Sequence, residues 1–236
     1  MRVSIHLPNY IPYLGFWSKL LKSDVMVLLD IVQFEKAGWQ NRQKVKLSHG
    51  RDCWLTVPVH HKCPEALSTI KIDNTNNGSW AKKHLHTLRF NYERSGQWKE
   101  LGVGLEEIYL GRHERLLQLN LKLLFWVMQT LGIHKELILA SSLLGKPSEL
   151  DEEPNTRIID ICHSVHADKY ISGDDAKSYL DTKRLSENGI LCEFQEFVHP
   201  VYPQRNGKFI PNLGVLDLIL NVGGKKAYEI ILGKEI

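Results

Sequence analysis

The run Val25-Met26-Val27-Leu28-Leu29 limits what this chain can fold into more than any other stretch. Five consecutive apolar residues, closed by Asp30, offer no polar face to water, so they read as a strand buried on both sides. Strands of that kind belong to parallel sheets, whose neighbours are reached by a crossover. The preceding residues supply one. Residues 2–6 alternate and are rich in β-formers, and a loop with Pro8 and Pro12 follows. Residues 15–21 then have helical character, with Phe16, Trp17, Leu20 and Leu21 able to face a core, and Ser23-Asp24 punctuates them. Strand, loop, helix and strand within about thirty residues is a βαβ unit. Its right-handed crossover puts the loops that follow His6 and Asp30 on one edge of the sheet.

The remainder extends this plan. Residues 43–47 and 53–59 flank the polar turn Ser48-His49-Gly50-Arg51-Asp52 and read as an inserted hairpin. Apolar spacing predicts helices over 80–94, 113–131 and 155–167, the first two stopped by Gly96 and Gly132. Short strands are expected at 137–140, 169–171 and 191–198. A helix should run from Ser172-Gly173 to about Asn188, with Gly189 as its cap. Residues 215–220 and 226–232 should close the chain as helices. The fold class is therefore α/β: a Rossmann-like, mostly parallel sheet flanked by helices, with an inserted β-hairpin and a helical C-terminal part. The best internal seam is 145–154, polar with two prolines, and reads as a loop inside one domain of residues 1–236.

Composition narrows the functional classes. A net charge of +3 is too small and too scattered for nucleic-acid binding, but it suits a small anionic substrate such as a nucleotide-sugar. The four cysteines show no CxxC pairing and read as reduced thiols in a cytoplasm. The N-terminus lacks an apolar signal core. The greasiest stretch, 116–131, carries Gln118, Asn120, Lys122 and Gln129, which marks a buried helix and not a membrane span. No GxSxG, Walker-type or GxGxxG pattern is present. The soft ligands in His60-His61-Lys62-Cys63 and in Cys162-His163 with His166 lack a matching second half, so no metal centre is expected. The sequence names no cofactor and leaves the oligomeric state open.

Four constellations carry chemistry. His6-Leu7-Pro8-Asn9-Tyr10-Ile11-Pro12 with Gly15 places an imidazole at the sheet's carboxyl edge, where open α/β sheets bind ligands, or it is a rigid turn with a structural histidine. Phe16 follows Gly15, so the second histidine of a nucleotidyltransferase loop is missing. Next come Asp30, Gln33, Phe34, Trp39, Asn41, Arg42, Lys44 and Lys46. They combine an acid after a buried strand, indole and phenyl rings for stacking, and amides and cations for a diphosphate or carboxylate. The two lysines alternate and also fit a solvated strand face. Ser172 and Gly173 precede Asp174 and Asp175, which read as helix caps that would repel an anion. His199, Tyr202 and Gln204 sit in a Pro-stiffened loop, either as a recognition element or as a plain turn.

These blocks, IHLPNYIPYLGF, SDVMVLLDIVQFEKAGWQNRQKVK, WLTVPV, YISG with YL, and HPVYPQ, resemble in that order the WbqC-like family. The resemblance runs from His6 to about Asn221. Positions that match its motifs are His6, Pro8, Asn9, Tyr10, Pro12, Gly15, Asp30, Gln33, Trp39, Asn41, Arg42, Trp54, Ser172, Gly173, His199 and Tyr202. Two positions depart: Leu7 stands where a glutamine is usual, and Asp175 stands where a second small residue is usual. The resemblance implies a role in polysaccharide or O-antigen biosynthesis, in making or decorating an unusual sugar. The expected activity is a group transfer, of an amino-acid or acyl unit, involving an amino sugar on a nucleotide carrier. In that scheme His6 is the general base, oriented by Asp30, and Arg42 and Lys44 hold the anionic part while Trp39 packs on a ring. Asn9, Tyr10, Gln33, Asn41, Ser172, Gly173, His199 and Tyr202 complete the expected substrate-binding set. The alternatives are a non-catalytic accessory protein of the same pathway and a nucleotidyl-transfer or adenylate-forming enzyme.

Overall fold

A computed structural model describes residues 1–145 and 153–234. The chain opens as β1 (Arg2–His6), α1 (Leu14–Lys22) and β2 (Val25–Leu28), with β1 and β2 parallel in the register Val3↔Val25 to His6↔Leu28. A separate antiparallel hairpin follows, β3 (Arg42–Lys46) and β4 (Asp52–Thr56), then a two-residue ribbon of β5 (Val59–His60) and β6 (Lys71–Ile72). Three helices come next, α2 (Ser79–Tyr92), α3 (Trp98–Leu110) and α4 (Leu116–Leu131). The chain then returns to the sheet through β7 (Glu136–Leu139), α5 (Ala140–Leu144), α6 (Pro154–Ser164), β8 (Lys169–Ser172), α7 (Thr182–Glu187) and β9 (Leu191–Phe194). Helices α8 (Val215–Val222) and α9 (Gly224–Ile231) close it.

The main sheet has the order β7-β2-β1-β8-β9, and every pair in it is parallel. From β1 the chain winds one way to β2 and β7, then returns to the far side of β1 for β8 and β9. That reversal makes a topological switch point between the carboxyl ends of β1 and β8. The sheet separates two apolar layers. Val25 and Val27 belong to the layer under α6, with Ile158, Ile161 and Leu185. Met26 and Leu28 belong to the layer of α1, α4 and α8, with Phe16, Leu123 and Leu216. The apolar run of β2 thus serves both faces, as a central strand must.

Several expected boundaries move, each for a local reason. The helix expected from 113 begins at Leu116, because the backbone before it pairs with the ribbon: Ile72 N–H donates to Glu114 O, and Leu116 N–H to Ile70 O. The long helix after Gly173 is instead a 3-10 turn at Asp174–Ser178 followed by α7. The Asp181 carboxylate accepts from Arg184 N and starts α7 afresh. The strand expected over 191–198 stops at Phe194, since Glu196 has a left-handed backbone (φ 48°) that no strand admits. The expected strand at 53–59 divides, and Val59 and His60 pair with β6. Helix α3 drew no expectation, because Gly102 and Gly104 dilute its apolar period. Those glycines allow close packing; a Cβ on Gly104 would collide with the Trp126 ring. Most of the seam at 145–154 lies outside the described residues.

A buried asparagine braces the loops above the sheet. Asn120 of α4 donates through Nδ2 to Pro8 O (2.6 Å) and to Gln40 O (2.8 Å), tying the β1–α1 loop to the segment before the hairpin. Replacing it by leucine strands two buried carbonyls. Asn120→Leu is expected to lose about 2–4 kcal/mol in urea unfolding; a loss below about 0.5 kcal/mol would show that the loops hold themselves.

Candidate functional site

A cavity of about 530 Å³ opens at the switch point, within the usual range for small-molecule sites. His6 comes to it from the end of β1, Ser172 and Gly173 from the end of β8, and Asp174 and Asp175 from the 3-10 turn. Arg157 of α6 and His199 with Asn212 of the loop before α8 also line it.

The His6 ring lies edge-on to Phe16, with centroids 4.9 Å apart. Its Nδ1 is 2.9 Å from Leu7 O. That contact places the proton on Nδ1 and leaves Nε2 as an acceptor. Burial, and then the nearby Lys19 cation, pull the imidazole down to about 3, so it is neutral at physiological pH.

Lys19 is the residue that the sequence reading missed. Its side chain runs back from α1 into the cavity wall, is only 6% exposed, and donates from Nζ to Ile5 O at 3.0 Å. Burial lowers it to about 8, against the field of Asp175, which raises it. Among the described residues no carboxylate forms an ion pair with it. A signal for it was present: Lys19 lies three and four residues beyond Phe16 and Gly15, on the apolar face of a helix, where a lysine is rare without a partner.

His199 reaches the cavity in a different state. Nδ1–H donates to Pro200 O (2.8 Å) and Nε2 accepts from Asn212 N (3.1 Å), so both ring nitrogens are occupied. Burial lowers its pKa as well. The ring pins the loop that walls the cavity. Ser172 is fully buried, and its hydroxyl lies 3.3 Å from Gly173 O. A side chain on Gly173 would meet no atom within 4 Å, so that position opens onto free space. The aspartates that read as helix caps make no such hydrogen bond. Asp174 pairs with Lys177 at 2.6 Å, and Asp175 stands in the cavity wall.

The other expected site residues lie elsewhere. Asp30 is 1% exposed, and its Oδ1 accepts from Ser141 N (2.9 Å) at the start of α5. It secures that helix, while the His6 nitrogen expected to face it bonds Leu7 O. Tyr10 is in the core, bonded to His84 Nδ1 at 2.9 Å and to the Tyr109 hydroxyl. Tyr202 donates to Asp217 Oδ2 (2.8 Å) and Tyr92 to Oδ1 (2.6 Å), and burial raises this carboxyl. Asn41 donates to Val57 O at 2.9 Å, and Gln33 to Cys63 Sγ at 3.2 Å. Asn9 is buried, with Oδ1 unpaired. Trp39, Arg42 and Lys44 gather around Trp54 on the hairpin, and none of them lines the cavity. Among the described residues no three His, Cys, Asp or Glu side chains come together as a metal set, and no helix is long and apolar enough to cross a membrane.

A doubly wound parallel sheet with a polar cavity at its switch point defines an open-sheet α/β protein. More narrowly, the chain belongs to the WbqC-like protein family, whose family model matches residues 8–229. It is 34% identical over 232 residues, covering 95% of each chain, to the uncharacterized protein Rv1507c of Mycobacterium tuberculosis (strain ATCC 25618 / H37Rv). No solved structure matches the chain.

Two histidines held far below their ordinary value, His6 at about 3 and His84 at about 4, make the fold acid-labile. Between those values and about 6.5 the unfolded chain binds protons that the folded one refuses, so stability is complete above pH 6.5 and falls as pH drops. Acidifying from pH 7 to 4 is expected to cost on the order of 3 kcal/mol through His6. His6→Gln should flatten the decline of Tm with pH; an unchanged slope would show that the imidazole is not held neutral.

Proposed function

We propose that the switch-point cavity binds a small anionic substrate, a nucleotide-activated sugar, and that the protein is a group transferase in bacterial surface-polysaccharide or related glycan biosynthesis. The observation that carries the anionic substrate is Lys19. A buried ammonium with one carbonyl acceptor and, among the described residues, no paired carboxylate is costly to keep charged. A phosphate or carboxylate entering the cavity removes that cost.

Neutral His6, with Nε2 open, supplies the proton acceptor. A base with a conjugate acid near 3 is weak at neutral pH. An anion seated beside it favours the imidazolium and moves the pKa toward the working range. The substrate would thus activate its own base. In the transfer, His6 Nε2 takes the proton of the attacking amine or hydroxyl as the new bond to the transferred group forms and the bond from that group to its activated donor breaks, the donor's carrier leaving with the electron pair. The surface-glycan setting, and the acyl or amino-acid identity of the group, are what the resemblance described above implies and are part of this proposal.

A thermal-shift panel of nucleotide-sugars and free nucleotides tests this. At a hundredfold over its dissociation constant a ligand adds about 2.7 kcal/mol, worth roughly 5–10 °C for a chain of this size. Lys19→Met should abolish the shift. His6→Gln should keep most of it and lower turnover of the identified substrate about 100-fold or more. No shift with any nucleotide-sugar, or a full shift in Lys19→Met, would sink the proposal.

A further inference from the structure

The hairpin carries a second assembly that the cavity does not absorb. Trp39 and Trp54 are 47% and 40% exposed, with ring centroids 5.2 Å apart and planes inclined at 45°. One exposed indole needs no explanation, but two in contact on a rigid support do. Trp54 sits in β4 directly opposite Lys44 of β3. Trp39 is held by its backbone, whose carbonyl accepts from Tyr10 N at 3.1 Å. The turn before it is built as firmly: Gly38 N–H donates to Glu35 O (3.0 Å), and Glu35 N–H to Gln40 Oε1 (2.9 Å).

Ala37 in that turn has φ 70°, a left-handed conformation that costs a residue with a side chain on the order of 1 kcal/mol. Its carbonyl accepts from Arg42 Nη2, and the guanidinium carbon lies 4.3 Å from the Trp54 ring centroid. The strained turn therefore helps to fix a cation on an indole. The charge of this assembly is unbalanced. Lys44 is paired with Asp52 at 2.7 Å, whereas among the described residues Arg42 has no carboxylate partner, and its buried Nε–H meets no acceptor.

We propose that the outer face of this hairpin is a second ring-binding surface, which takes an acidic sugar unit of a glycan. A pyranose lays its C–H face on indole and turns its hydroxyls outward, and a carboxylate or phosphate on the ring reaches Arg42. Size favours this occupant. Two half-exposed tryptophans offer roughly 200 Å², against about 800 Å² per partner in a stable protein interface. A nucleic acid would need several unpaired cations along its backbone, whereas Lys44, the cation directly opposite Trp54, is already paired with Asp52. The choice of a carbohydrate rests on the reading of the protein as a glycan enzyme; the surface itself is independent of the cavity. The two are braced by shared loops, since Gly214 N–H donates to Lys44 O (3.2 Å) two residues after Asn212 in the cavity wall.

The test is calorimetric titration of the full chain with hexameric oligogalacturonate and with maltohexaose as a neutral control. The expected result is saturable binding of the acidic hexamer, at least about tenfold weaker in Trp54→Ala and in Trp39→Ala. Arg42→Gln should remove the preference for the acidic hexamer, and Lys19→Met should leave binding unchanged. Circular dichroism of each variant confirms that it folds, and Trp39→Ala, in an exposed loop, covers the case in which Trp54→Ala does not. Absence of saturable binding to the unaltered chain, binding indifferent to both tryptophans, or binding lost in Lys19→Met would overturn the proposal. Persistence of the nucleotide-sugar thermal shift in Trp54→Ala separates its failure from failure of the cavity reading.

Discussion

With Val25 and Val27 committed to one apolar layer and Met26 and Leu28 to the other, β2 has no solvent face and must lie inside a sheet covered on both sides. Burying β1 and β2 this way draws helices to both surfaces, and here every neighbour joins in parallel, through long connections. The carboxyl ends of all five strands then point the same way. Because β8 joins β1 on the side away from β2, the two loops beyond those strands diverge and leave a space between them. The cavity is thus a consequence of strand order and parallel pairing.

What fills that space chemically comes from two residues whose burial works against their charge. His6 gives up its positive form, and Lys19 keeps much of its own only at a cost, because one backbone carbonyl is a poor substitute for water. The Lys19 ammonium adds to the effect of burial on the imidazole, as a like charge does. An anion reverses both effects at once, by compensating the ammonium and by favouring the imidazolium. In the proposed transfer, binding and activation of the base would then be a single electrostatic event.

The loops are held from below. Asn120 joins the loop after β1 to the segment before the hairpin, and Asp217 holds Tyr92 and Tyr202 with its two oxygens. Lys46 adds bonds to Gln204 (3.3 Å) and to Lys208 O (2.7 Å). The loop that carries His199 and Asn212 into the cavity wall is therefore anchored by a buried polar network several residues away. Tyr202 and Asn41, matched to the family's motifs, act here as anchors. This explains why residues of one motif pattern fall in different places: some face the ligand space and some secure the loops that shape it.

By itself the sequence determined the local structure wherever one physical signal dominated. The unbroken apolar run of β2, the alternation of β1, the helical spacing of α2, α4 and α6, and the polar turn of the hairpin all reflect burial on a fixed period. His6, Ser172, Gly173 and His199 were legible because they follow strands, and strand ends in a parallel sheet share an edge. Helix α3 was hidden by two glycines, of which Gly104 allows close contact with the Trp126 ring of α4, and Lys19 by its neighbours in an apolar stretch. Tertiary structure alone decided that β8 lies beside β1, that Asp30 serves α5 and not His6, and that the Trp39–Trp54–Arg42 assembly stands outside the cavity. These outcomes depend on which surfaces meet across long spans of chain, and local propensity and spacing hold no information about such distances until the two apolar layers have closed over the sheet.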